Sequence, residues 1–152
     1  MNNIVEQFLK STINLTKKAN TKKIGNYYSI YEFIYKNGRS FNSASLPENI
    51  RRGEMRACYK NALMLALCNP EYYYVEGFAC GIIPTLHAWC INKKGNVIDP
   101  TWPDGKEYFG IIFKKVYLFK QLDKKRGGAF IDNWEEGWPL LRLDKKIWKK
   151  DI

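Results

Sequence analysis

Apolar residues recur at helical spacing through residues 4–18, IVEQFLKSTINLTKK, where Ile4, Val5, Phe8, Leu9 and Ile13 share one face. Lysines close the segment, at the end where the helix dipole favours cations. A second helical pattern, YYSIYEFIYK, runs to Asn37 and Gly38, a suitable helix stop. The following GRSFNSASLPENIRRGE is rich in Gly, Ser, Asn and Pro and predicts a long loop. A loop of that length inside a compact domain tends to be functional. MRACYKNALMLALC then sets Cys58, Ala62 and Leu65 on one stripe, widened by Met55 and Ala66, which predicts a buried helix. Asn69-Pro70 ends it, because proline cannot continue a helix.

From there the apolar period shortens to that of strands. YYYVEGFACGIIP is β-branched and aromatic with a central Gly77, the mark of a bulge or of a close backbone approach. LHAWCIN and NVIDPTW are strand-like runs joined by KKG, and Gly95 suits the left-handed position of a three-residue hairpin loop. With Asn92 opposite Asn96, His87 falls opposite Thr101, and Asp99 lies one diagonal step away on the same face. A slip of one residue would separate them. A further strand is expected near 108–113, a loop around Gly127-Gly128, and something short and amphipathic at the end. The whole predicts one α+β domain over residues 1–152, with N-terminal helices in 3–36, a central region at 54–102 and a basic segment at 114–152.

Composition sharpens this picture at two points. Hydrophobic residues make up 45% of the 152, enough for a real core in one domain. The formal charge of +10 is unevenly placed. Residues 1–25 hold five lysines against Glu6, residues 26–113 nine basic groups against eight acidic, and residues 114–152 eleven against six. The basic ends favour acidic partners, nucleic acid among them, although a solvated lysine surface has the same composition. The first residues lack a basic leader and an apolar core, and no apolar run approaches the ~20 residues of a membrane span. A cytoplasmic protein with no membrane association is therefore expected. Its four widely spaced cysteines are then thiols, with Cys68, Cys80 and Cys90 read as small core residues.

His87 is the single histidine, and its spacing to Asp99 is what a proton-moving imidazole needs. A cysteine acts as a nucleophile through its thiolate, which a helix N-terminus and nearby positive charge favour. Cys58 stands near the start of its helix, after NIRRGEMRA with Arg51, Arg52 and Arg56. His87 would take the thiol proton and return it to a leaving amine, while Asp99 holds the imidazole in the required tautomer. Trp89 and Trp102 flank these residues as candidate walls of a substrate groove, and Glu54, in the vicinity just upstream of the cysteine, is a third candidate for substrate binding. No C-x-x-C spacing marks a zinc site, and Cys90 points to the strand face opposite His87. Asn133-Trp134, a second candidate for an orienting amide, is read as structure.

The order Cys58, His87, Asp99 in the settings ACYKNALMLAL, YYYVEGFA, HAWCIN and VIDPTW resembles the transglutaminase-like branch of the papain-like cysteine enzymes. The resemblance spans about residues 54–102. It implies a papain-like fold, in which a buried helix carrying the nucleophile packs on an antiparallel sheet carrying the base and its carboxylate. It also implies Cys58 as nucleophile, His87 as base and Asp99 as orienting group. The activity implied is a thiol-dependent amide hydrolase or acyl transferase, meaning a peptidase, isopeptidase, deamidase or transglutaminase. It would act on a protein or peptide through a thioester, without metal or organic cofactor. The competing expectation is a binding module of the same fold that holds an acidic ligand.

Overall fold

In the computed structural model, which describes residues 3–20, 22–122, 128–143, 147–149 and 152, the first apolar stripe forms helix α1, Ile4–Ala19. Asn3 caps it by accepting from Glu6 N–H, and Val5, Leu9 and Ile13 form its buried face. Ser29 caps α2, Ile30–Asn37, in the same way through Glu32 N–H. Gly38 follows as predicted, but its backbone is extended rather than left-handed. Glycine is needed there for closeness, since a Cβ would lie 2.7 Å from the carbonyl oxygens of both Ile34 and Gly110.

The strands are β1 (Arg39–Asn42), β2 (Tyr73–Cys80), β3 (Pro84–Ile91), β4 (Val97–Ile98), β5 (Glu107–Phe113) and β6 (Trp148–Lys149). They form one antiparallel sheet in the order β1-β5-β2-β3-β4, with β6 beside β5 beyond β1. Helix α3 (Cys58–Cys68) lies between β1 and β2 in the chain, and α4 (Lys115–Gln121) follows β5. Alternation along the strands sorts the side chains. Tyr74, Phe78, Ala88, Cys90, Ile111 and Phe113 join the main core with α1, α2 and α3. Val75, Ala79, Trp89, Ile91, Tyr108 and Ile112 form a second cluster on the other face, covered by Phe41. An α+β architecture with an antiparallel sheet is thus observed, and no helix among the described residues is long and apolar enough to cross a membrane.

Several expectations are corrected. The predicted loop after Gly38 begins with β1, because Phe41 packs on Trp89 at 5.9 Å and its strand pairs with β5. Helix α3 starts at Cys58 rather than Met55. Leu63 is buried with Cys58, Ala62 and Ala66, whereas Met55 is exposed and Leu65 only half-buried. Pairing runs unbroken through Gly77, so the glycine marks close approach and not a bulge. Only Val97 and Ile98 of NVIDPTW form a strand, since Asp99 turns the chain. Cys68 is exposed, unlike buried Cys80 and Cys90. Helix α4 was not foreseen in KVYLFKQ, where lysines interrupt the apolar period. Gly127 and six of the eleven basic residues of 114–152 lie outside the described residues.

A buried carboxylate ties the later chain to the central strand. Glu76, 2% exposed, accepts hydrogen bonds from Tyr74 Oη at 2.6 Å, Phe130 N–H at 2.8 Å and Ile131 N–H at 2.9 Å. These donors replace the water lost on burial.

Two predictions concern stability. A Cβ on Gly110 would meet the Glu76 carbonyl oxygen at 2.5 Å and the Trp89 indole at 2.7 Å. Gly110→Ala should therefore destabilise the fold by about 1–3 kcal/mol, an overpacking cost, read as a lower urea midpoint. Glu32 is buried, which alone would raise its pKa. Hydrogen bonds from Lys36, Tyr28 N–H and Lys17 overcome this and hold it at about 2, below the ordinary 4.5. A depressed folded-state pKa gives stability that is present above the unfolded value and lost as pH falls. Glu32→Gln should remove the part of the acid sensitivity of Tm that falls between pH 4.5 and about 2.

Candidate active site

Cys58 owes its place to a sharp turn. Arg56 sits in the left-handed region at φ 67°, unusual for a side chain with a Cβ, and Ala57 N–H donates to the Glu54 carbonyl. The helix therefore cannot begin earlier, and its first regular bond runs from Asn61 N–H to the Ala57 carbonyl at 2.8 Å. Cys58 is the first helical residue, so its own N–H has no acceptor within the helix and points out at the positive end of the dipole. No acidic side chain occupies the first turn to oppose it.

The approach to this helix is pinned to the segment that carries Asp99. Asn61 Nδ2 donates to the Glu54 carbonyl at 2.9 Å and to Thr101 Oγ1 at 3.0 Å. Gly53 N–H reaches the Pro100 carbonyl at 2.8 Å. Arg52 Nη1 donates to the carbonyls of Asp99 at 3.1 Å and Trp102 at 2.7 Å. Arg52 thus works as a clasp on backbone oxygens.

His87 lies on β3 opposite Gly77. The hairpin register is the anticipated one: Cys90 pairs with Ile98, Ile91 with Val97, and Asn92 N–H donates to the Asn96 carbonyl at 3.1 Å, with Gly95 at φ 80°. That register brings His87 Nε2 within 2.8 Å of Asp99 Oδ2. The Cys58 thiol lies near enough to the ring to raise the His87 pKa, and with Nε2 taken by Asp99 the ring nitrogen left to serve it is Nδ1. All three residues are buried, with His87 1%, Asp99 4% and Cys58 9% exposed.

Asp99 is met on each oxygen. Oδ1 accepts from Thr101 N–H at 2.8 Å and Trp102 N–H at 2.9 Å, and Oδ2 accepts from His87 and from Tyr108 Oη at 2.9 Å. Burial pushes its pKa upward, but His87 and the two backbone donors overcome that and hold it below the ordinary carboxylate value. For His87, burial pulls the pKa down, and the hydrogen bonds to Asp99 and Cys58 more than reverse it. The two directions agree: each partner favours the charged form of the other. The arrangement can therefore hold an imidazolium beside a sulfur, with a carboxylate behind it.

The two tryptophans divide. Trp102, half-buried, stacks on His87 with ring centroids 4.1 Å apart and an interplanar angle of 23°, between the imidazole and solvent. Trp89 is fully buried at 6.2 Å from the ring and has no surface to offer a substrate; its role is to back His87 from the core. This corrects its reading as a groove wall. Glu54 is exposed, and what holds its loop is its carbonyl rather than its carboxylate. Tyr108 was missed, because a tyrosine in an apolar strand has no sequence mark of its partner. Arg52 and Asn61 were missed as clasps, although a polar Asn on an apolar helix did signal a need for partners. Cys90 faces away from His87 and donates to the Ala62 carbonyl at 3.1 Å. Among the described residues no group of three or more His, Cys, Asp or Glu side chains is placed to hold a metal ion.

Comparison of the chain with protein-family models, with curated proteins and with solved structures finds no match.

Proposed function

We propose that the chain is a thiol-dependent amide hydrolase or acyl transferase of papain-like, transglutaminase-like type, acting on a protein or peptide through a Cys58–His87–Asp99 triad. One observation carries this reading: the sole histidine is hydrogen-bonded to a buried carboxylate and stands within electrostatic range of the buried thiol at the head of α3. Support for the finer fold comes from the same elements, a helix led by cysteine against an antiparallel sheet carrying the histidine, with the aspartate just beyond the next strand.

In this mechanism His87 Nδ1 takes the thiol proton, and the sulfur attacks the amide carbonyl carbon. The C–N bond then breaks, the amine leaves with the proton from His87, and the acyl group remains on sulfur as a thioester. Water or a second amine attacks next, gives its proton to His87, and the C–S bond breaks. The free Cys58 N–H is the natural donor to the oxyanion formed in each half. Asp99 keeps Nε2 protonated and stabilises the imidazolium, and Trp102 screens that pair from water.

A second reading, a binding module for an acidic ligand, is favoured by a different surface. Two cavities of about 290 and 260 Å³ share Arg39 and are lined by Lys93 and Lys94 in one and Lys36 and Lys149 in the other, with no acidic side chain among the lining residues of either.

Each reading has its measurement. Iodoacetamide should alkylate Cys58 faster than the exposed Cys68 below pH 8, as read by peptide mass spectrometry. His87→Ala should abolish that advantage, and Asp99→Asn should move its onset to higher pH, with about a tenfold loss of rate for each pH unit of displacement. Equal reactivity of the two cysteines would overturn the enzyme reading. If the basic cavities bind polyanions, a single-stranded oligonucleotide should bind with an affinity that falls steeply with salt, and Lys93→Glu with Lys94→Glu should weaken it more than Lys22→Glu with Lys23→Glu.

A further inference from the structure

Hydrogen-bond direction along β3 shows where an extended chain would meet the site. Asn92 N–H donates to Asn96 across the hairpin, so the even-numbered residues of β3 turn their amides and carbonyls toward the β4 side. Strand β4 pairs only with Cys90 and Ile91. Leu86 therefore presents its N–H and carbonyl at an open edge, directly before His87, whereas Ala88 is wholly covered. An open edge of this kind accepts a further strand.

A residue paired opposite Leu86 would place its side chain on the same face of the sheet as Leu86 itself. On that face lies a largely apolar cavity of about 320 Å³, lined by Ile30, Tyr31, Leu86, Thr16, Asp132 and Trp138 among others. Its size is at the lower end for ligand sites, that of one long side chain. Asp132 is its only acidic lining residue. One carboxylate oxygen, Oδ1, accepts from Trp138 Nε1 at 3.1 Å, and among the described residues no cation lies within ion-pair distance of it. In a chain of net charge +10 an unpaired carboxylate in an apolar cavity is conspicuous. Trp138 is held against it at φ 53°, in the left-handed region that such a residue rarely adopts. Leu86 lines this cavity and directly precedes His87 on β3, which ties the cavity to the site.

We propose that this cavity is a specificity pocket for a basic side chain, lysine or arginine, of an extended peptide that pairs with the Leu86 edge of β3, and that Asp132 selects it. The aliphatic stem would lie along Ile30, Tyr31 and Leu86 while the cationic head reaches Asp132. This deepens the enzyme reading above and rests on it for the fate of the peptide, but the pocket can be tested without turnover.

The test is a titration of ¹⁵N-labelled Cys58→Ala protein with three peptides, Ala-Ala-Lys-Ala-Ala and its Glu and Leu counterparts, followed by NMR. The expected result is saturable shifts of the Leu86 amide and the Trp138 indole N–H with the lysine peptide, at least tenfold weaker with the Glu and Leu peptides. Asp132→Asn, which keeps an acceptor for Trp138, should erase the preference. Equal responses to all three peptides, shifts confined to other surfaces, or a preference untouched by Asp132→Asn would overturn the pocket. Iodoacetamide reactivity of Cys58 in the Asp132→Asn protein is the separate readout. A selective thiol without a basic preference removes the pocket alone, and a basic preference beside an inert thiol removes only the chemistry.

Discussion

A carboxylate taken out of water must be met by donors on every side, and the buried Asp99 sets that demand at the centre of this protein. Four donors answer it, from three separate parts of the chain: the imidazole on β3, the phenol of Tyr108 on β5, and the backbone of the turn that Asp99 itself begins. The turn must hold its shape for its amides to converge, and the Arg52, Gly53 and Asn61 contacts keep it there. Those same contacts fix the head of α3. The position of the sulfur is thus a consequence of how the carboxylate is satisfied.

The parts of this arrangement that were legible in the sequence are the ones governed by local rules. Hairpin register followed from Gly95 and the Asn92–Asn96 pairing, and that register carries Asp99 toward His87, where the turn after Ile98 completes the contact. Helices α1 and α2 announced themselves by period and by what ends them, lysines in α1 and Gly38 after α2. What stayed hidden depends on contacts distant in the chain. Strand β1 looks like loop because three of its four residues are exposed and its pairing is with β5, some seventy residues on. The late start of α3 turns on a left-handed Arg56, for which no residue type gives warning. Tyr108 and Trp89 are neighbours in one cluster, yet one serves the carboxylate and the other only fills space. Aromatic character does not distinguish those roles; the position of a hydroxyl does.

The sheet separates two kinds of work. One face packs on the helices and supplies mass, with Tyr74, Phe78, Ile111 and Phe113 among its large side chains. The other face holds the imidazole over Trp89 and beside Gly77 and Gly110, where small residues leave room for large rings. The edge of β3 beside His87 is left open because β4 is only two residues long. A longer β4 would close that edge and cover the Leu86 backbone. The early turn at Asp99 therefore serves the site twice, by supplying the carboxylate and by leaving the edge free.

Glu76 lies near the middle of β2, yet its partners Phe130 and Ile131 are made more than fifty residues later. Until they arrive, a carboxylate in the central strand has lost water without gaining those amides. During synthesis on a ribosome, the segment bearing Cys58, His87 and Asp99 emerges first, with its core strand still incompletely neutralised. Consolidation of the sheet thereby depends on the arrival of Phe130 and Ile131, and with it the convergence of Cys58, His87 and Asp99. One buried side chain can act as a timer, setting when residues far apart in the chain are brought together.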